Sequence, residues 1–258
     1  MLIPNFMGGL GNMMFQLAST YSFAKQSGHE FGINEIPLPP TQHSNTNYND
    51  NILKPWLRFS TPRSPTKVIT EHHNLSVLTP IDVFKGYAND DAIATYGYFQ
   101  HASYIAPYKH EIIPLFELNK KIIPFYHDIS DSFFIHIRRG DYVNHPYHSI
   151  DLTNYYKKAL TRINSGIACV VSNDIPWCED WSVLNDIRHR IVNENDLNTL
   201  TIMAHCGKGG IAANSSFSWW GLYLNTEREH LIMPNVWCVG FGSAIYVFPE
   251  ATVITNDL

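Results

Sequence analysis

Residues 134–142 read Phe-Ile-His-Ile-Arg-Arg-Gly-Asp-Tyr, an apolar run that stops on two adjacent arginines, Arg138 and Arg139, in a chain of net charge −5. A guanidinium matches a phosphate bidentately and stays charged at any working pH, so a paired-arginine strand end points to a diphosphate ligand. Gly140 allows a turn or a close approach of the backbone to that ligand. The competing reading is a strand end that meets two surface arginines, and these nine residues by themselves leave both open.

Three further clusters carry polar groups where chemistry is expected. Met7-Gly8-Gly9-Leu10-Gly11-Asn12-Met13-Met14-Phe15-Gln16 is a glycine-dense turn running into an apolar helix, a place where backbone N–H groups can meet charged oxygens. It is not a dinucleotide fingerprint, because Met14 stands where the third glycine would be, and no Gly-Lys-Ser/Thr follows to make a phosphate loop. The segment Val171-Ser172-Asn173-Asp174-Ile175-Pro176-Trp177-Cys178 sets a hydroxyl, an amide and a carboxylate after an apolar strand. It reads either as a group of donors and acceptors for a nucleobase edge or as an Asx-turn into a helix begun by Pro176. Asn214-Ser215-Ser216-Phe217-Ser218-Trp219-Trp220-Gly221 opens a helix directly after a strand, and its hydroxyls and N–H groups could hold phosphate oxygens. A capped helix anchored by tryptophan is the alternative there.

The elements that must position these groups follow from the apolar pattern. From Ser132 onward strands and helices alternate: strand 133–138, helix 155–163, strand 167–172, a helix near 181–187 and strand 190–192. The series continues with helix 197–206, strand 210–213, helix 219–225 and strand 231–233. Such alternation implies an α/β fold with a parallel sheet covered on both faces, whose ligands bind at the carboxyl ends of the strands. His136, Arg138, Ser172, Asn173, Asp174, Asn214 and Ser215 fall at or after such ends. The first half is less regular, with a helix from Gly11 to Lys25, loops across the Pro-rich stretch from Pro37 to Pro65, and a strand ending at Gly97-Tyr98-Phe99-Gln100. Pro107 and Pro114 should interrupt the helices that follow. The boundary is expected near 126–132, giving one domain over residues 1–130 and a second over 131–258, with the last residues able to return to the first.

Composition narrows the class. The chain has 258 residues, 45% of them apolar, enough for one large core or two modest ones. Charged residues reach only 16% and aromatics 13%, with no basic run, so a general nucleic-acid footprint is not expected. Cys169, Cys178, Cys206 and Cys238 form no Cys-x-x-Cys pair and read as free thiols. No basic leader and no run of about 20 apolar residues is seen, which places the expectation in the cytoplasm.

Together the motifs resemble one family, the inverting, GDP-fucose-dependent α-1,2-fucosyltransferases of glycosyltransferase family 11. The residues that carry the resemblance are Gly8-Gly9-Leu10-Gly11-Asn12 with Met14-Phe15-Gln16, Gly97 to Gln100, His136-x-Arg138-Arg139-Gly140-Asp141-Tyr142, Ser172-x-Asp174 with Trp177-Cys178, and Asn214-Ser215-x-Phe217-Ser218-Trp219-Trp220-Gly221. They keep the family's order over residues 8–221. Met13 departs from the usual glutamine and Asn173 from a common aspartate. The resemblance implies a GT-B fold of two Rossmann-like domains facing across a cleft, with an N-terminal acceptor side and a C-terminal donor side. It implies transfer of fucose from GDP-fucose to a glycan, with the 2-hydroxyl of galactose the family's usual target. Arg138 would bind the pyrophosphate, supported by Arg139. His136 and Asp174 would meet the guanine or ribose, while Ser215, Ser216 and Phe217 complete the nucleotide pocket. Gly9, Gly11, Asn12, Ser172 and Asn214 join the donor site on the same grounds. Another acceptor or linkage, or an inactive homologue that binds nucleotide or sugar, is the alternative.

Fucosyl transfer leaves negative charge on a departing diphosphate. Asp90-Asp91 and Glu194-x-Asp196 are the nearest approaches to a metal-binding carboxylate pair, and neither follows a donor-site strand, so arginine rather than metal is expected to stabilise the leaving group. No cofactor is expected. A base for the acceptor hydroxyl is sought among Asp141, His145, His148 and Asp151, with Asp141 equally able to orient an arginine. The expected partners are GDP-fucose and a glycan, with peripheral membrane contact if that glycan is lipid-linked.

Overall fold

The structure is a computed structural model that describes residues 1–34, 47–71, 81–88 and 91–257. The chain divides into two compact units, Met1–Leu118 and Asn119–Leu258. The first unit comprises β1 (Leu2–Pro4), α1 (Leu10–Ser27), β2 (Lys67–Thr70), α2 (Ile81–Lys85), β3 (Ile93–Tyr96), α3 (Ala102–Ile105) and α4 (Lys109–Ile112). Its described strands form a parallel sheet in the order β1-β3-β2. Helix α1 begins one residue before the expected start, runs two past the expected end, and is buried along most of its length; Gly28 in the left-handed region ends it. Pro107 and Pro114 break the segment after β3 into alternating short α and 3-10 turns, as their missing N–H groups dictate. The Pro-rich stretch expected to be loop lies partly outside the described residues. Its described part holds a 3-10 helix, Lys54–Phe59, because Trp56 is buried there against Phe116 and needs an ordered backbone to hold it.

The second unit comprises β4 (Ser132–Ile137), α5 (Thr153–Leu160), β5 (Ile167–Ser172), α6 (Ile175–Glu179), β6 (His189–Val192), α7 (Asp196–His205), β7 (Gly209–Ile211), α8 (Ser216–Tyr223), β8 (His230–Pro234), β9 (Val236–Cys238), β10 (Phe241–Gly242) and β11 (Thr252–Ile254). Strands β11-β8-β7-β4-β5-β6 pair in parallel in that order, and β9 with β10 makes a small antiparallel ribbon. Read from β4, the chain adds β5 and β6 on one side and then crosses to add β7, β8 and β11 on the other. That is the 3-2-1-4-5-6 order of a doubly wound sheet, whose ligand crevice opens where the direction reverses, between the carboxyl ends of β4 and β7. The α/β class with parallel sheets is therefore as expected.

One core of this unit packs Phe133, Ile135 and Ile137 of β4 with Tyr155 and Tyr156 of α5 and with Trp181 and Leu184. Tyr155 donates its hydroxyl to the carbonyl oxygens of Ala212 and Ile232, and Tyr156 to that of His136, so α5 is fastened to three strands near their carboxyl ends. At Gly210 a Cβ would overlap the Phe134 ring, which is why β7 can lie so close to β4.

Three expectations are corrected. The domain boundary lies at 118/119 rather than 130/131, because Asn119 donates to Thr201 and Asn198 of α7 and the carbonyl of Ile129 accepts from Gly207, tying residues 119–131 to the second unit. The last residues do not return to the first unit: β11 pairs with β8. The helix expected near 181–187 is only a 3-10 turn, Ser182–Leu184, whereas the helix read as begun by Pro176 is present as α6, Ile175–Glu179, capped by Asp174. The four cysteines are free, and all but Cys238 are buried. No described helix is long and apolar enough to cross a membrane.

Candidate functional site

The crevice between the ends of β4 and β7 places Arg138 on one side and Asn214 on the other. Strand β4 ends at Ile137, and the chain then turns through Arg138, Arg139 and a 3-10 turn, Gly140–Tyr142. The two arginines have different partners. Arg139 donates from Nε to Asp174 Oδ2 at 2.9 Å, and its guanidinium carbon lies 4.0 Å from the centre of the Trp177 ring. Its main-chain N–H donates to Asn173 Oδ1 at 2.9 Å. Arg139 is thus held on three sides by the loop after β5 and by Trp177 of α6. Arg138 pairs through Nη2 with Asp141 Oδ1 at 2.6 Å and lies 5.2 Å from the centre of the Tyr142 ring. Its Nε is buried without a partner, and its side chain is 19% exposed, so this guanidinium keeps donor capacity at the mouth of the crevice.

Asn173 buttresses this turn. Gly140 takes a φ of +35°, and a Cβ there would overlap the Asn173 amide. Only glycine meets both demands. Asp174 has partners on both oxygens, since Oδ1 also accepts from the Trp177 N–H at 3.4 Å as the cap of α6. The Ser172 hydroxyl accepts from the Asp174 N–H at 3.0 Å. The cluster is therefore an Asx-type turn and an arginine clamp together.

His136 lies within β4, 3% exposed, with its ring 5.8 Å from that of Phe217 in an edge-to-face contact. Burial, and then the charge of Arg138, push its pKa down to about 3, so the imidazole is neutral; Nδ1 has no partner. On the β7 side, Asn214 donates from Nδ2 to the Trp237 carbonyl, which fixes the turn, and Ser215 stands at the N-cap of α8 with Ser216 and Phe217 in its first turn. Trp219 anchors that helix by donating to the Tyr246 carbonyl at 2.6 Å and stacking on Tyr223. His136, Arg138, Arg139, Ser172, Asp174, Asn214, Ser215, Ser216 and Phe217 all belong to this unit, at strand ends, in the turns that follow them or in the first turn of α8.

Gly9, Gly11 and Asn12 lie in the first unit. Gly9 is the N-cap of α1, and Asn12 accepts from Gln100 Nε2 at 2.7 Å. Gln16 accepts from the Met7 N–H and donates to the Gly97 carbonyl, while Ser19 donates to that of Phe99. The glycine turn and the Gly97–Gln100 segment, far apart in sequence, thus form one hydrogen-bonded corner at the end of β3.

Beside the arginine turn opens a cavity of about 370 Å³ lined by Arg138, Arg139, Tyr142, His148, Asp151 and Trp177, among others. Tyr142 and Trp177 carried no role in the sequence reading; for Tyr142 the signal was an aromatic ring four residues after Arg138, while the Trp177 contact with Arg139, 38 residues away in sequence, had none. His148 is held below its ordinary pKa by burial, His145 and Arg138, with Asp141 opposing. Hydrogen bonds from Thr153 hold Asp151 below the usual carboxylate range. Asp141 faces Arg138, and His145 lies against the His148 ring at 4.6 Å. Of the carboxylates considered for metal, Asp91 pairs with Lys67, Glu194 accepts from Asn198, and Asp196 accepts from the Leu197 N–H; Asp90 lies outside the described residues.

Comparison with known proteins finds a family model, Glycosyl transferase family 11, matching residues 5–239. The O-antigen biosynthesis glycosyltransferase WbnK of Escherichia coli is 25% identical, over 90% of this chain and 93% of its own length. An alpha-1,2-colitosyltransferase of Escherichia coli is 24% identical, over 92% of each chain. A structure of an Arabidopsis thaliana FUT1 mutant in complex with GDP aligns with 86% of this chain and 68% of its own at 11% identity and a TM-score of 0.48.

Proposed function

The chain belongs to glycosyltransferase family 11, and from that premise we propose that it transfers L-fucose from GDP-fucose to a glycan, with inversion, at the 2-hydroxyl of galactose and without a metal. The observation that carries this reading is Arg138. It is a cation at the switch point of a doubly wound sheet, partly buried, with unused donor capacity, where a diphosphate would lie against the carboxyl end of β4. As the glycosyl–phosphate bond breaks, negative charge grows on the diphosphate and positive charge on the anomeric carbon. A preplaced guanidinium stabilises the first without reorganisation, an effect typically worth ~3 kcal/mol or about 10² in rate. Asp141 pairs with Arg138, and Arg139, clamped by Asp174 and Trp177, holds the turn. On this reading the nucleoside would lie toward Ser216 and Phe217 in the first turn of α8, with the neutral His136 buried against the Phe217 ring. The acceptor hydroxyl would attack from the face opposite the diphosphate and pass its proton to one of Asp141, His145, His148 and Asp151; of these, His148 and Asp151 line the cavity beside Arg138. On this reading the protein works in the cytoplasm, and at a membrane face if its acceptor is lipid-linked.

The test is GDP release from GDP-fucose in excess EDTA, with and without galactose-terminated glycans, and linkage analysis of the product. Acceptor-dependent release and an α-1,2 product are expected. Because one relative is named as a colitosyltransferase, nucleotide-activated colitose is the competing donor to include. Arg138→Ala is expected to lower kcat by about 10² or more while the protein stays folded; near-normal turnover in the folded variant overturns the assignment.

A further inference from the structure

Arg138 reaches the mouth of the crevice on a flexible side chain, and its partner Asp141 is 52% exposed, so that ion pair alone is a weak constraint on where the guanidinium lies. A second constraint comes from the chain that follows. The Tyr142 N–H donates to the Arg139 carbonyl, Val143 to Gly140, His145 to Tyr142 and Ser149 to His145, and Asn144 takes a φ of +67°, a conformation that asparagine tolerates better than most residues. This run of turns folds residues 140–149 back on themselves and lays the His148 ring on that of Tyr142, with centroids 4.6 Å apart and planes within 16°. The far end of the run is moored to β9: the Val239 N–H donates to the Tyr147 carbonyl at 2.8 Å, and His148 Nδ1 lies 3.5 Å from Cys238 Sγ.

We propose that Tyr142 is a positioning residue for Arg138: its ring, supported by His148, fixes the guanidinium where the donor's diphosphate binds. The proposal rests on the reading of Arg138 given above. A planar cation against a ring face gains from the ring quadrupole and loses rotamer freedom at the same time, which is how a long side chain is preorganised. Burial of His148 and the nearby Arg138 and His145 favour its neutral form, so that the support under Tyr142 adds no charge that repels Arg138; Asp141 acts in the opposite direction.

The experiment measures GDP and guanosine affinity for the wild-type chain, Tyr142→Leu, Tyr142→Phe, Arg138→Ala and the Arg138→Ala/Tyr142→Leu double variant, each checked for folding. Tyr142→Leu should weaken GDP about tenfold and guanosine less than twofold, and Tyr142→Phe should restore GDP binding. Since Tyr142 acts through Arg138, the double variant should bind GDP no more weakly than Arg138→Ala. His148→Leu removes the support without touching either residue and should show the same GDP-selective loss, with His148→Phe restoring it, so the idea remains testable even where Tyr142→Leu misfolds. Wild-type GDP affinity in folded Tyr142→Leu or His148→Leu, equal losses for guanosine, or an additive loss in the double variant overturns the proposal. A wild-type chain that binds no GDP overturns the donor reading itself, and this proposal with it.

Discussion

Asn173 shows how much a single side chain near the crevice decides. Its amide oxygen accepts from the Arg139 N–H, and its amide nitrogen occupies the space that a Cβ at Gly140 would need. An aspartate supplies the same acceptor, so Asn173→Asp is expected to keep the melting temperature and GDP affinity close to wild type. Asn173→Ala leaves a turn N–H without its partner, a loss of about 1 kcal/mol in stability, together with weaker GDP binding; thermal melts and a GDP titration read both. Trp177 is the second such residue. Trp177→Ala removes the face on which Arg139 rests and is expected to cost about 1–2 kcal/mol, again seen by melting. The motif residues themselves were legible as residue types, because paired arginines and a glycine carry their chemistry wherever they stand. Their different partners were not: nothing local distinguishes Arg138 from Arg139, and only the carboxylate after β5 and the indole of α6 hold the second while the first pairs with Asp141.

Helices α7 and α8 end on a common device. Arg228, 8% exposed, donates to the carbonyls of Met203 and Cys206 at the end of α7 and to those of Gly221, Leu222 and Asn225 at and beyond the end of α8. Carbonyls at helix ends lack intrahelical donors, and one guanidinium satisfies both sets while its charge meets two negative dipole ends. Burial pulls the Arg228 pKa down to about 10, still well above any working pH. Arg228→Met keeps the apolar stem but orphans these carbonyls, and a loss of about 3–5 kcal/mol in urea unfolding is expected. The strands around these helices followed from apolar runs with small shifts, β5 to the residue. The helix begun by Pro176, one of two readings of that segment, is α6, whereas apolar residues at 181–187 read as a further helix that does not form: Trp181 and Leu184 turn inward from a 3-10 turn to fill the core with Tyr156.

For the molecule as a whole, His136 sets a pH dependence of stability. In the fold it stays neutral to about pH 3, while in the unfolded chain it takes a proton near pH 6.5. The unfolded state therefore binds more protons between those values, and stability falls as pH drops from about 6.5 toward 3, by on the order of a few kcal/mol in all. Asp128, held low by its Arg190 partner, adds to the loss below about pH 4. Denaturant midpoints at pH 7.5, 6 and 5 should decline in order, and His136→Leu should flatten the decline between 6.5 and 5; a flat wild-type profile contradicts the buried neutral histidine. From sequence alone came the α/β class, the alternation that builds the second unit, the family and the residues that bring its chemistry. These are properties of residue type and short-range period, which the chain carries at every stage of folding. The tertiary structure decided the strand order β6-β5-β4-β7-β8-β11, the boundary at 118/119 and the partners of each arginine. Those depend on which distant segments pack together, a choice made by the core as a whole and written in no single stretch of residues.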